Sequence, residues 1–203
     1  MTLTVTSAMI PSQYSSYAIP NDVLINQLDL RKHIEGGYYA ETDRQSEVIR
    51  SPFADEALRP LATTIYYLLT YDYPDGLFHM NKSATMHVLH QGRVEYTLIT
   101  PGVNGGPPTV EVKVMGHNIH AGEVLQLHVG SNIWKKSRLL PEDVAQARLD
   151  PSKQQHTGCL ITEVVFPGFH WEDHQFLTKS TLKALWNVGS PEWKRWVRYV
   201  KED

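Results

Sequence analysis

Between Thr63 and Phe169 the chain is a succession of short runs in which apolar and polar positions alternate and β-branched and aromatic residues dominate. The runs cover 63–69, 85–90, 94–100, 110–115, 123–129 and 160–165. Alternation places successive side chains on opposite faces, so each run predicts a strand with one face buried. Turn residues separate the runs, among them Pro74 to Gly76, Gln91-Gly92, Asn104 to Pro108 and Ala121-Gly122. Many short strands at this spacing, with no helical period between them, predict an all-β sandwich or barrel.

A helical pattern occurs only toward the ends. Asn21 and Asp22 can cap a short helix through Leu30 that turns Leu24, Ile25 and Leu28 inward. Ser190-Pro191-Glu192 is a helix start, and Trp193, Trp196, Val197 and Val200 then share one face that clamps the tail to the strands. The domain reading is an arm over 1–20, a strand domain over 21–180 and a helical extension over 181–203. Residues 141–157 are polar and contain Pro141 and Pro151, which predicts a solvated loop, with a short helix or a mobile flap at a barrel mouth as the alternative.

Composition narrows the partners. The chain has 203 residues, 41% of them hydrophobic, enough to bury a core. Net charge is -3 and the basic residues occur at most in pairs such as Lys135-Lys136, so nucleic acid is not an expected partner. No apolar stretch nears the roughly 20 residues that span a bilayer, and Met1 to Ile10 lacks a signal-peptide pattern. The single cysteine, Cys159, lies in an apolar run and reads as a buried thiol, so a reducing, cytoplasmic setting is expected.

Alternation also gathers candidate chemistry. If His79 points inward, so does Asn81. On the following strand Thr85, His87 and Leu89 share a face opposite Met86, Val88 and His90. Gln126 and His128 share another face, and Lys135 and Ser137 lie opposite Trp134 and Lys136. A lining of His, Lys, Gln, Thr and Asn suits a small oxygen-rich molecule, and histidine or a desolvated lysine can move protons on it. An inward Glu163 adds a proton acceptor. The alternative is a divalent metal held by His79, His87 and His128.

Four segments together resemble one family. They are Glu35-Gly36-Gly37-Tyr38 continuing to Arg44, Thr64 to Leu69, Phe78 to Gly92, and Pro167-Gly168-Phe169 with the preceding Glu163 and the following Glu172-Asp173-His174. The family is cupin family five, small cupins without an established activity, and the resemblance spans residues 24–180. It implies a double-stranded β-helix, or jelly-roll, barrel with one cavity per subunit, commonly paired as a homodimer. Metal-dependent cupins carry His-x-His, a Glu four residues on and a Gly seven further. Here those positions hold His79, Asn81, Thr85 and Gly92, and Lys135 stands where the second motif would place a histidine. An ammonium there repels a divalent cation.

The expected function is therefore binding of a small sugar-like or polyketide-like metabolite and metal-independent acid/base chemistry on it: epimerisation, isomerisation, cyclisation or dehydration. His79 and His87 are the expected acid and base, and Lys135 the stabiliser of a developing enolate or carboxylate. Tyr66, Asn81, Thr85, Gln126, His128 and Glu163 are expected to orient the ligand. No cofactor is expected. A metal-dependent oxygenase or isomerase and a non-catalytic binding or storage module are the alternatives. Glu35, Glu41 and Arg44 are expected to make structural ion pairs across the sheet.

Overall fold

The computed structural model describes residues 17–186 and 190–203. Most of the expected arm over 1–20 lies outside the described residues, as do 187–189 of the extension.

The chain runs through α1 (Asn21–Gln27), β1 (Arg31–Lys32), β2 (Tyr38–Arg44), β3 (Val48–Arg50), β4 (Leu58–Pro60), β5 (Thr63–Thr70), β6 (His79–Asn81) and β7 (Ala84–Gly92). It continues through β8 (Val94–Thr100), β9 (Thr109–Met115), β10 (Gln126–Val129), β11 (Trp134–Arg138), α2 (Pro141–Leu149), β12 (Gly158–Phe166), β13 (His174–Phe176) and α3 (Lys179–Leu185). One sheet has the order β1-β2-β5-β12-β7-β10 and faces a second of order β13-β6-β11-β8-β9, with the β3-β4 hairpin apart. The result is an antiparallel jelly roll.

Five predicted runs became β5, β7, β8, β9 and β12, each displaced by no more than two residues at either end. The run 123–129 shortens to β10, because Glu123 turns back to accept from the backbone N–H of Asn118 (2.8 Å). Residues 141–157 differ from the predicted loop: they form α2 and a 3-10 turn over Pro151–His156. Pro141 opens α2 with Glu142 and Asp143 in its first turn, and Asp143 pairs with Arg93 at 2.7 Å. The tail forms a 3-10 helix over Glu192–Tyr199. Trp193, Trp196 and Tyr199 recur every three residues, the period at which 3-10 side chains eclipse.

Three apolar clusters divide the molecule. Tyr67, Leu69, Leu89, Tyr96, Leu98, Leu127, Cys159 and Ile161 fill one end of the space between the sheets. Phe78, Ile99, Trp134, Trp196 and Tyr199 join the tail to the outer face of the second sheet. Tyr17, Leu24, Leu30, Leu68 and Leu160 join α1 to the outer face of the first. Among the described residues no helix is long and apolar enough to cross a membrane.

Candidate functional site

The inward faces turn polar along the strands. On β12 the inward series Cys159, Ile161, Glu163 passes from apolar to acidic, and on β7 Leu89 gives way to His87 and Thr85. Antiparallel register sets Glu163 opposite His87, and Lys135 opposite His79. Two hydrogen-bonded groups result.

The first centres on Lys135, which is 2% exposed. Its Nζ donates to Glu163 Oε1, to Thr85 Oγ1 (3.1 Å) and weakly toward His87 Nε2 (3.4 Å). The Thr85 hydroxyl can then donate to His87 Nε2 (3.1 Å), which leaves His87 Nδ1 to donate to the Tyr96 hydroxyl (3.0 Å). Burial, reinforced by Lys135, pushes His87 down to about 3, so it is a neutral imidazole at neutral pH. Burial works to raise the Glu163 pKa, but Lys135 and then His87 outweigh it and hold the carboxyl below its ordinary value. Oε2 of Glu163 lies 3.9 Å from His87 Nε2, beyond hydrogen-bond reach, and keeps an open acceptor position.

The second group centres on Glu35. His174 Nε2 donates to Oε1 at 2.7 Å, while His79 Nε2 and His33 Nδ1 lie 3.3 and 3.5 Å from Oε2. Gly36 and Gly37, at φ of 102° and 67°, make this possible: a Cβ on Gly36 would sit 2.4 Å from the Asp75 carbonyl oxygen. That close approach brings Glu35 to the segment leading into β6, where its carbonyl accepts from Leu77 N (2.7 Å). His174 is fixed by its neighbour Asp173, which takes a two-pronged bond from Arg59 at 2.6 and 3.0 Å.

His79 Nδ1 lies 3.0 Å from the Leu77 carbonyl, which can only accept, so Nδ1 carries a hydrogen. Any proton on Nε2 is then one shared with Glu35. Burial, opposed by Glu35 and helped by Lys135, holds His79 below its ordinary pKa. Glu35 is also held low, because His79, His174 and His33 together overcome its burial. The Glu35–His79 contact is thus a place for a weakly held proton.

The structure brings together His79, Asn81, Thr85, His87, Lys135 and Glu163, but not all with equal access. Glu35, Asn81 and Glu163 are 8% exposed and His79 9%, whereas Thr85 and His87 are 1% exposed. The first four can meet a ligand, and Thr85 and His87 position Lys135. Oδ1 of Asn81 is buried without a hydrogen-bond partner, an acceptor left for a donor.

Three expected ligand contacts lie elsewhere. Gln126 and His128 are exposed, because β10 turns Leu127 and Val129 inward and the alternation runs the other way. Tyr66 is on the outer face of β5, against the α1 cluster and edge-on to His90 at 5.7 Å. With His128 outside, His79, His87 and His128 do not converge. Among the described residues no group of three or more His, Cys, Asp or Glu side chains could hold a metal ion. The lining does not fit one either, since Lys135 puts an ammonium between Glu163 and His87.

Sequence reasoning missed Glu35 and His174 as site residues, although both lie in segments that carried the family resemblance. Glu35 opens the Glu-Gly-Gly-Tyr stretch and His174 ends the one beginning at Pro167, and the two side chains meet inside the fold. The expected pair of Arg44 with Glu41 is present on the surface at 2.6 Å, and Glu35 takes no part in it.

Among solved structures, a hypothetical protein from Leishmania major superposes with a TM-score of 0.73 at 24% identity, over 91% of this chain and 99% of its own. Protein SO0799 from Shewanella oneidensis gives 0.68 at 23%, over 91% and 99%. These likenesses establish the jelly-roll fold. In sequence, the uncharacterized protein YML079W of Saccharomyces cerevisiae is 38% identical over 168 residues, 76% of this chain and 73% of that protein. Residues 22–177 match the family described as Cupin superfamily (DUF985), and the chain belongs to that family.

Proposed function

We propose that the protein binds a small oxygen-rich metabolite in the space between its sheets and transfers protons on it without a metal. The observation that carries this reading is a pair of buried carboxylates, Glu163 and Glu35, with different partners between the sheets. Glu163 is kept ionised by Lys135, while Glu35 shares a labile proton position with His79. An ionised carboxylate and a carboxylate–imidazole contact on separate elements give a site one group to remove a proton and another to return it. In this mechanism Glu163 Oε2 accepts a proton from the carbon beside a carbonyl. Lys135 stabilises the enolate or carboxylate charge that develops, and His79 with Glu35 returns the proton. Asn81 Oδ1 accepts from a ligand hydroxyl. Epimerisation, isomerisation, cyclisation and dehydration of sugar-like or polyketide-like carbonyl compounds all use these steps.

The test is proton exchange. A panel of hydroxy-ketones, sugars and sugar nucleotides is incubated with the protein in D2O and followed by proton NMR. Deuterium should enter at the carbon next to a carbonyl, and Glu163→Gln and His79→Ala should each slow this by about 100-fold or more, the usual weight of a general acid or base. Exchange that persists unchanged in both variants would defeat the mechanism. Saturable binding with no exchange would replace it with a binding module.

A further inference from the structure

On the side of β11 away from the cavity, Trp134, Lys136 and Arg138 face the C-terminal 3-10 helix. Lys136 is 0% exposed, yet among the described residues its Nζ has no hydrogen-bond partner. It lies 4.0 Å from the ring centroid of Tyr199 and 5.9 Å from that of Trp196. Oγ1 of Thr97, opposite Lys136 on β8, and Nε1 of Trp196 are also buried without partners. An ammonium and an indole N–H only donate, and the Thr97 hydroxyl is the one acceptor among these three unpartnered groups.

Beside it opens a cleft of about 280 Å³, whose lining includes Asp75, Arg138, Arg148, Arg198 and the α2 residues Pro141 and Val144. Lys136 feels the charges of Arg138, Asp75 and Arg198 from this lining. Arg138 is engaged by Glu95 at 2.8 and 3.1 Å. Arg198 donates to the Tyr199 hydroxyl, and neither it nor Arg148 pairs with a carboxylate among the described residues. Arg148 and Arg198, without carboxylate partners among the described residues, therefore share the cleft with Asp75 and the already paired Arg138.

We propose that this cleft binds the oxyanion group, phosphate or carboxylate, of a small metabolite between Arg148 and Arg198. Guanidinium groups form paired, charge-assisted bonds to such oxygens, and the space suits a compact ligand. The site is separate from the Lys135 group, because its lining includes none of Glu35, His79, Lys135 and Glu163.

Titration calorimetry on the intact protein at low ionic strength tests this, with pyrophosphate, inorganic phosphate and succinate as probes. One equivalent should bind, and binding should weaken with added chloride. Arg148→Ala/Arg198→Ala should lose about tenfold or more in affinity. Both arginines are exposed, so the variant should keep its melting temperature. Glu163→Gln, which alters only the cavity, should bind the probe unchanged. Preference for the phosphates or for succinate names the ligand's acidic group. No binding at millimolar probe, or equal binding by the double variant, overturns the site. Attachment to phosphatidylglycerol vesicles that the double variant loses, with no binding of the free anions, would overturn the assignment to a soluble metabolite.

Discussion

Lys135→Met is the most direct probe of the cavity. In the native protein Lys135 and Glu163 have side chains 2% and 10% exposed and are in direct contact. Removing the cation leaves a largely buried carboxylate with no ion partner, and breaking such a pair costs about 3–5 kcal/mol. For a chain of this size each kcal/mol moves the melting temperature by roughly 2–4 °C, so a fall of about 6–20 °C is expected. The pH dependence carries the mechanism. In the native protein the depressed Glu163 pKa contributes stability above the unfolded value of about 4.3, lost as pH falls through the folded value. In the variant, burial is no longer opposed by Lys135 and raises the folded pKa. The penalty then appears as pH rises through about 4.3 and is fully developed at neutrality. Urea unfolding followed by tryptophan fluorescence at pH 7 and near pH 4 should show a large deficit at the first and a small one at the second. Lys135→Met/Glu163→Leu should recover most of the loss. A deficit below about 1 kcal/mol, equal at both pH values, would mean that Glu163 reaches water and is not held as a buried pair.

Lys136→Met should stabilise the protein at neutral pH. Burial, with Arg138, pushes Lys136 down to about 8, so the unfolded chain binds the extra proton between that value and about 10.4. Native stability should therefore rise across that interval. The variant, free of the penalty, should lead at pH 7 by up to about 3 kcal/mol, less the lost contact with Tyr199, and the lead should vanish above about pH 10. Nitrogen NMR of His87 should show one neutral tautomer, protonated at Nδ1, from neutral pH down to the neighbourhood of its depressed value of about 3; titration at the ordinary histidine pKa would contradict its burial. Gln126→Ala and His128→Ala should each change stability by no more than about 0.5 kcal/mol and leave cavity ligands unaffected, which unfolding curves and ligand titrations check.

What the sequence disclosed and what it withheld follow from range. The β5, β7, β8, β9 and β12 runs were legible because their side-chain alternation is a local property, and so was the inward set Thr85, His87, Leu89. The polarity of β2 hides its strand: Glu41, Thr42, Asp43 and Arg44 are all exposed, so its outer half has no apolar rhythm. β10 misled because both of its faces are plausible on paper. Gln126 and His128 look like ligands, whereas Leu127 and Val129 are what the core required. The helix α2 looks like a loop because it buries little apolar side chain of its own, Ala147 and part of Val144, and takes further anchoring from Arg93 on another segment. Glu35 reads as a structural ion-pair residue and His174 only as part of a family segment, because a carboxylate beside a Gly-Gly pair has no local sign that three imidazoles will reach it.

The placement of charge inside the sandwich argues for a site rather than a stabilising device. A buried ion pair seldom stabilises a fold more than apolar residues of the same size would. The same interior shows that apolar filling was open to this sequence, since Leu89, Leu98, Leu127 and Ile161 pack the space only a turn of strand away. Instead, five side chains of Lys, Glu or His type (Lys135, Glu163, His87, Glu35 and His79) occupy the other end. Each is aimed by an element that would be simpler without it: a glycine pair pressed against the Asp75 carbonyl for Glu35, and a threonine bridging to His87 for Lys135. Asn81 adds an acceptor that nothing among the described residues satisfies. These features oppose the folding free energy, and a bound molecule that reached Asn81 Oδ1 and Glu163 Oε2 would satisfy both acceptors at once. Ligand binding should accordingly raise the melting temperature, and more in the native protein than in Asn81→Ala.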